Sequence, residues 1–128
     1  MKARQSSVYR NQELLLHTLN RCFDKVPNKF HRQWQAAVCT TTLMSAMRHV
    51  DMALRTKDAQ ARMEILEAIC VEMADVKVVV REFSVKDSPK DPTIISLNQY
   101  AEIAKLLEKI ARDLQKWMIA TMSLNKVE

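Results

Sequence analysis

Three features of the sequence predict an all-α fold, an up-down-up-down four-helix bundle. Glycine is absent from all 128 residues. Hairpin turns use glycine for positive φ, so its absence counts against an all-β fold and against any glycine loop that cradles phosphate. Only three prolines occur, Pro27, Pro89 and Pro92, which leaves few joints. Apolar residues recur at spacings of three and four along four segments of roughly 20 to 30 residues, each one face of a helix. Long helices with mostly short connections pack as antiparallel neighbours. The length suits one domain, residues 1–128, with its own core, and no internal repeat or low-complexity tract is evident.

The first helix is expected over about 7–26. Ser6 or Ser7 caps its start, Leu15, Leu19, Cys22, Phe23 and Val26 form its stripe, and Pro27 ends it, because a proline disfavours helical geometry in the residue before it. The second is expected over 28–55, with Ala36, Cys39, Leu43, Met47, Val50 and Leu54 inward. The run "CTTT" (39–42) holds mediocre helix formers, but the periodicity passes through it. The third is expected over 58–84 with Asp58 as N-cap. The fourth is expected over 93–122, its face marked by Ile103, Leu107, Ile110, Leu114, Trp117 and Thr121. "KDSPKDP" (86–92) is the clearest loop.

"DVKVVVREF" (75–83) is the one stretch that resembles a strand. Met63, Leu66, Cys70, Met73, Val76 and Val80 continue one helical pattern into it, and no turn is available to start a strand. Helical context therefore outweighs the β propensity of its valines. Lys77 and Arg81 then lie about 40° apart, in line with Cys70 and Met73 and away from the acids of the same helix. They are either long side chains that snorkel to water beside the core or a cationic surface for phosphates or a partner. On the fourth helix Lys105, Lys109, Arg112 and Lys116 are spaced four, three and four apart, a basic stripe opposite the apolar face. It is either a solvated face or a track for a phosphate backbone. Trp117 projects toward the apolar side, as a core or interface plug rather than a base-stacking platform.

The formal net charge is +5. Residues 1–55 hold nine Lys/Arg against three Asp/Glu, and residues 56–128 hold eleven against twelve. A basic half points to an anionic partner such as nucleic acid, or simply to a basic surface. No apolar run approaches the roughly 20 residues that span a bilayer, so no membrane partner is expected. "MKARQSSVYR" has no apolar core after its basic residues, so no secretory signal is expected. Cys22, Cys39 and Cys70 lie far apart without metal-ligand spacing, which fits reduced, buried thiols in a cytoplasmic protein. His17, His31 and His49 form no paired motif. Glu64-x-x-Glu67 is the nearest approach to the Glu-x-x-His of di-iron bundles and falls short of it. No metal, cofactor or catalytic constellation is expected, and the chain does not read as an enzyme.

Four segments carry a resemblance: "KVPNKFHR" at the first helix junction, "RMEILEAICVEMADVKVVVREF" in the third helix, "IISLNQY" entering the fourth, and "LLEKIARDLQKW" near its end. In order and spacing, from Tyr9 to Trp117, they resemble the accessory variability determinant proteins of diversity-generating retroelements. These belong to a four-helix-bundle group that includes proteins encoded in 23S rRNA intervening sequences. The family's basic pair late in the third helix matches Lys77 and Arg81. In its closing Glu-Ile-Gly-Arg…Leu-Gly-Gly-Trp motif the arginine matches Arg112 and the tryptophan Trp117. The chain departs at the glycines, with Ala111 for one and Gln115-Lys116 for the pair. The resemblance implies a ring-like homo-oligomer, a homopentamer, of basic protomers. It also implies that they bind the retroelement's reverse transcriptase and its RNA or DNA in support of mutagenic retrohoming. The alternative is a helical protein–protein adaptor that binds no nucleic acid.

Overall fold

A computed structural model describes residues 6–85 and 93–127, with the side chains of 6–85 and 93–124. The expected loop at 86–92 lies outside the described residues. Four helices are present: α1 (Ser7–Phe23), α2 (Phe30–Arg55), α3 (Ala59–Phe83) and α4 (Leu97–Val127). Among the described residues there is no strand. The run "VKVVV" is helical, as its surroundings predict, and Val76 and Val80 are fully buried.

Several termini have a local cause. Ser6 is the N-cap of α1, its Oγ accepting from the Tyr9 N–H. The helix ends at Phe23 rather than at the expected 26. Lys25 and Val26 donate to Cys22 and Phe23, and such i→i−3 bonds tighten the chain ahead of Pro27. Through the threonine run of α2 the Thr40 hydroxyl donates back to Ala36 O at 3.2 Å, so the side chain that competes with the backbone is satisfied within the helix. Only three residues separate α2 from α3. Asp58 caps α3 through Ala61 N–H at 2.9 Å, and the Arg62 guanidinium donates twice to Thr56 O, at 3.0 and 2.7 Å.

The largest departure from expectation is at the fourth helix. Residues 93–96 are not helical; Ile94 and Ile95 are buried, and Ile95 N–H donates to Phe83 O at 3.2 Å. The helix starts at Leu97 behind a reciprocal cap, in which Gln99 N–H donates to Ser96 Oγ (3.2 Å) and Ser96 N–H to Gln99 Oε1 (3.0 Å). This is a capping box, Ser-x-x-Gln, and it satisfies two backbone donors that would otherwise lack partners. α4 then runs five residues past the expected end.

Each helix packs against its sequence neighbours, and α4 closes on α1. Cross-helix contacts give the directions. Ser7 Oγ donates to Asp113 (2.8 Å) and Lys25 Nζ to Gln99 (3.2 Å), so α1 and α4 are antiparallel. Gln35 donates to Glu82 (2.7 Å) and His49 Nδ1 lies 2.6 Å from Glu72, so α2 and α3 are too. Cys70 Sγ and Met118 Sδ meet at 3.7 Å across α3 and α4. The core is a continuous aliphatic cluster that includes Leu15, Leu43, Ile69, Ile103 and Ile110. One end is closed by Phe23 and Phe83, with ring centroids 5.1 Å apart, and by the Arg32 guanidinium 5.2 Å above the Phe83 ring. Two polar side chains among the described residues are almost wholly buried, Gln12 and Thr121, and the Thr121 hydroxyl donates to Trp117 O at 2.9 Å. Gln12 is fully buried, its amide nitrogen 3.5 Å from Met73 Sδ and its Oε1 without a partner.

Candidate partner and nucleic-acid surfaces

The six cations singled out by spacing fall on two surfaces. Lys105, Lys109, Arg112 and Lys116 are all exposed on the outward face of α4. At 1.5 Å per residue they span about 16 Å. Lys77 and Arg81 are exposed on α3, where they line the groove between α3 and α4. The residues of α4 that line this groove and those that carry the stripe lie roughly 130° apart around the helix axis. The fold therefore does not gather all six into one patch.

The groove has a volume of about 760 Å³. Its floor is apolar, with Met73 and Val80 on one side and Leu107 and Leu114 on the other. It exists because Ala74, Ala104 and Ala111 face the gap and do not fill it. Tyr100 and the carboxylate-bearing Glu108 line the α4 wall of the same groove. Among the described residues neither Lys77 nor Arg81 forms an ion pair; the cross-helix pair is His49–Glu72, and Arg55–Asp51 closes at 2.6 Å within α2. Arg81 also borders a shallower hollow of about 550 Å³ with His31, Arg32 and Glu82.

Two apolar faces point away from the core, and periodicity directed only at the core side misses them. On α2, Phe30 (86% exposed), Trp34 (58%), Val38, Met44 and Met52 share the outer face. On α3, Val71 (63%) and Val78 (54%) lie seven residues apart, opposite the buried Ile69 and Val76, and Val85 (67%) is exposed just past the end of the helix. The signal for both was present in the sequence as apolar residues left over after the inward stripe is assigned.

The thiols offer no activated nucleophile. Burial pushes Cys39 up to about 12. Burial also raises Cys22, against the opposing pull of Lys25 and Arg21, and it raises Cys70 with help from Glu67. Among the described residues no three His, Cys, Asp or Glu side chains converge as a metal site, and no helix is long and apolar enough to cross a membrane. Trp117 is half-buried against the core. Comparison with protein-family models, with characterised proteins and with solved structures finds no match to this chain.

Proposed function

We propose that this is a cytoplasmic, non-enzymatic accessory protein of a diversity-generating retroelement. In this reading it holds RNA or DNA on the basic face of α4 and contacts the element's reverse transcriptase through its other exposed surfaces. The observation that supports nucleic-acid binding is the α4 stripe, four exposed cations in a line of about 16 Å. Phosphates of one strand recur about every 3.4 Å along a duplex axis, so the stripe matches the length of several. Nothing in the stripe is arranged to read base edges, so affinity comes from phosphates and carries little sequence preference. The reverse transcriptase and the ring-like homopentamer rest on the resemblance alone.

Salt dependence tests this reading. With about four phosphates neutralised, log affinity for a labelled single strand falls with log salt at a slope of about −3. Each Lys→Ala in the stripe lowers the slope by about 1. An affinity that stays flat between low and moderate salt excludes the reading. The groove and the outward apolar face of α2 favour a second one, a helical adaptor that binds only proteins. The absence of any complex with RNA or DNA at low salt is the result that selects it.

A further inference from the structure

The groove between α3 and α4 changes character along its length. Cys70 and Met118 meet across it, which sets the register of the two helices. Near that contact the walls are apolar, with Met73 from α3 and Leu114 from α4. Lys77 and Arg81 line the other half, about two and three turns further along α3. Both cations are exposed, and among the described residues neither side chain has a hydrogen bond or an ion pair. From Cys70 to Arg81 the groove runs about 16 Å, and α4 lines it over about 27 Å. Spread over such a length, its volume of about 760 Å³ gives a mean cross-section of roughly 30 to 45 Å². A helix with its side chains takes about 80 Å² or more. A helix therefore rests on the rim, whereas a single extended chain lies inside.

We infer that the groove binds a single-chain anionic amphiphile, a carboxylate of the fatty-acid type. Its head lies at Lys77 and Arg81, and its tail runs toward Cys70 and Met118. The polarity of the groove selects this ligand. Two cations one turn apart meet the head, and the planar Arg81 guanidinium matches both oxygens of a carboxylate. The tail covers apolar wall that Ala74 and Ala111, both exposed, leave open. The volume lies within the range of small-molecule sites. Glu108 also lines the groove and opposes an anionic head. It is exposed and pairs with neither cation, so the polar half keeps a net positive charge. The site does not depend on the α4 stripe, which lies on another face.

Titration calorimetry of the whole chain with decanoate, laurate and myristate, each below its micelle concentration, tests the inference. One ligand binds per chain, and affinity rises about two- to fourfold per added methylene until the apolar half is filled. Dodecanol carries the same tail without the charge and binds at least about tenfold more weakly than laurate. K77A with R81A removes that difference, whereas Glu108→Gln tightens laurate. Ala74→Phe with Ala111→Phe fills the groove and weakens laurate and dodecanol alike. All these positions are exposed, so circular dichroism should show unchanged helix content in each variant. Affinity that ignores tail length, equal binding of laurate and dodecanol, or undiminished laurate binding in the phenylalanine variant overturns the inference. So does a groove that takes an acidic amphipathic peptide but no laurate, which makes it a protein-docking site. The nucleic-acid reading stands or falls separately, through the salt slope of the α4 variants.

Discussion

Gln12 is the residue at which the core is least resolved energetically. Its amide oxygen is buried without a partner, and its nitrogen meets only a thioether sulfur, a weak acceptor. An unsatisfied buried polar atom costs roughly 1–3 kcal/mol. Gln12→Leu is therefore expected to raise stability by about 1 kcal/mol, read as a higher denaturation midpoint with unchanged slope; a lower midpoint means that the amide is better satisfied than its surroundings indicate. Cys39 makes a second prediction. Its folded pKa is about 12, against 9.0 for the free thiol, so the unfolded chain loses its proton first as pH rises. Its contribution to stability is thus complete below pH 9 and declines as pH climbs toward 12. Cys39→Ala should flatten the fall in stability over that alkaline range, and the native thiol should resist disulfide reagents at neutral pH until the chain unfolds. An unchanged alkaline profile in the variant removes Cys39 as the cause. The burial of Cys39 was legible from its place in the inward stripe of α2, and that of Gln12 was not. A glutamine or a threonine on the inward face looks polar until the fold shows what surrounds it.

At the level of elements, termini are decided by short-range chemistry and by what the neighbouring chain must bury. The α3 start at Asp58 was readable because an N-cap needs only its own backbone. The α4 start was misplaced by four residues because a proline marks where a helix is permitted and not where it begins. Ile94 and Ile95 gain more by plugging the end of the bundle than by adding a turn, and the Ser96–Gln99 box then fixes the start. Ser96→Ala should cost about 1 kcal/mol and loosen this junction, seen as faster hydrogen exchange at the first amides of α4. Equal exchange in the two proteins means that packing of Ile94 and Ile95 sets the start alone. α2 shows the complementary lesson. Apolar residues lie on both its inner and outer faces, so an inward stripe traced from periodicity is correct but leaves Phe30, Trp34 and Val38 without a role.

Across the whole molecule, the antiparallel bundle follows from composition and periodicity. Four apolar stripes must be buried, and short connections leave few ways to do so. The absence of glycine counts against an all-β fold, the scarcity of proline leaves few joints, and the helical pattern carries through "DVKVVVREF" despite its valines. The six candidate cations were legible as two sets of four- and three-residue spacings, and all six are exposed. Their relation to one another was not, because spacing along one helix gives a direction around that axis only. Tertiary packing decided that the α4 stripe and the α3 pair face different ways, and that alanines at 74, 104 and 111 open a groove beside Lys77 and Arg81. It also decided that Val78 points outward while Val76 and Val80 point in. Local sequence determines which residues can share a helix face. Which face meets water, core or another chain depends on the rotation of each helix against its neighbours, and that is set by the packing of all four together.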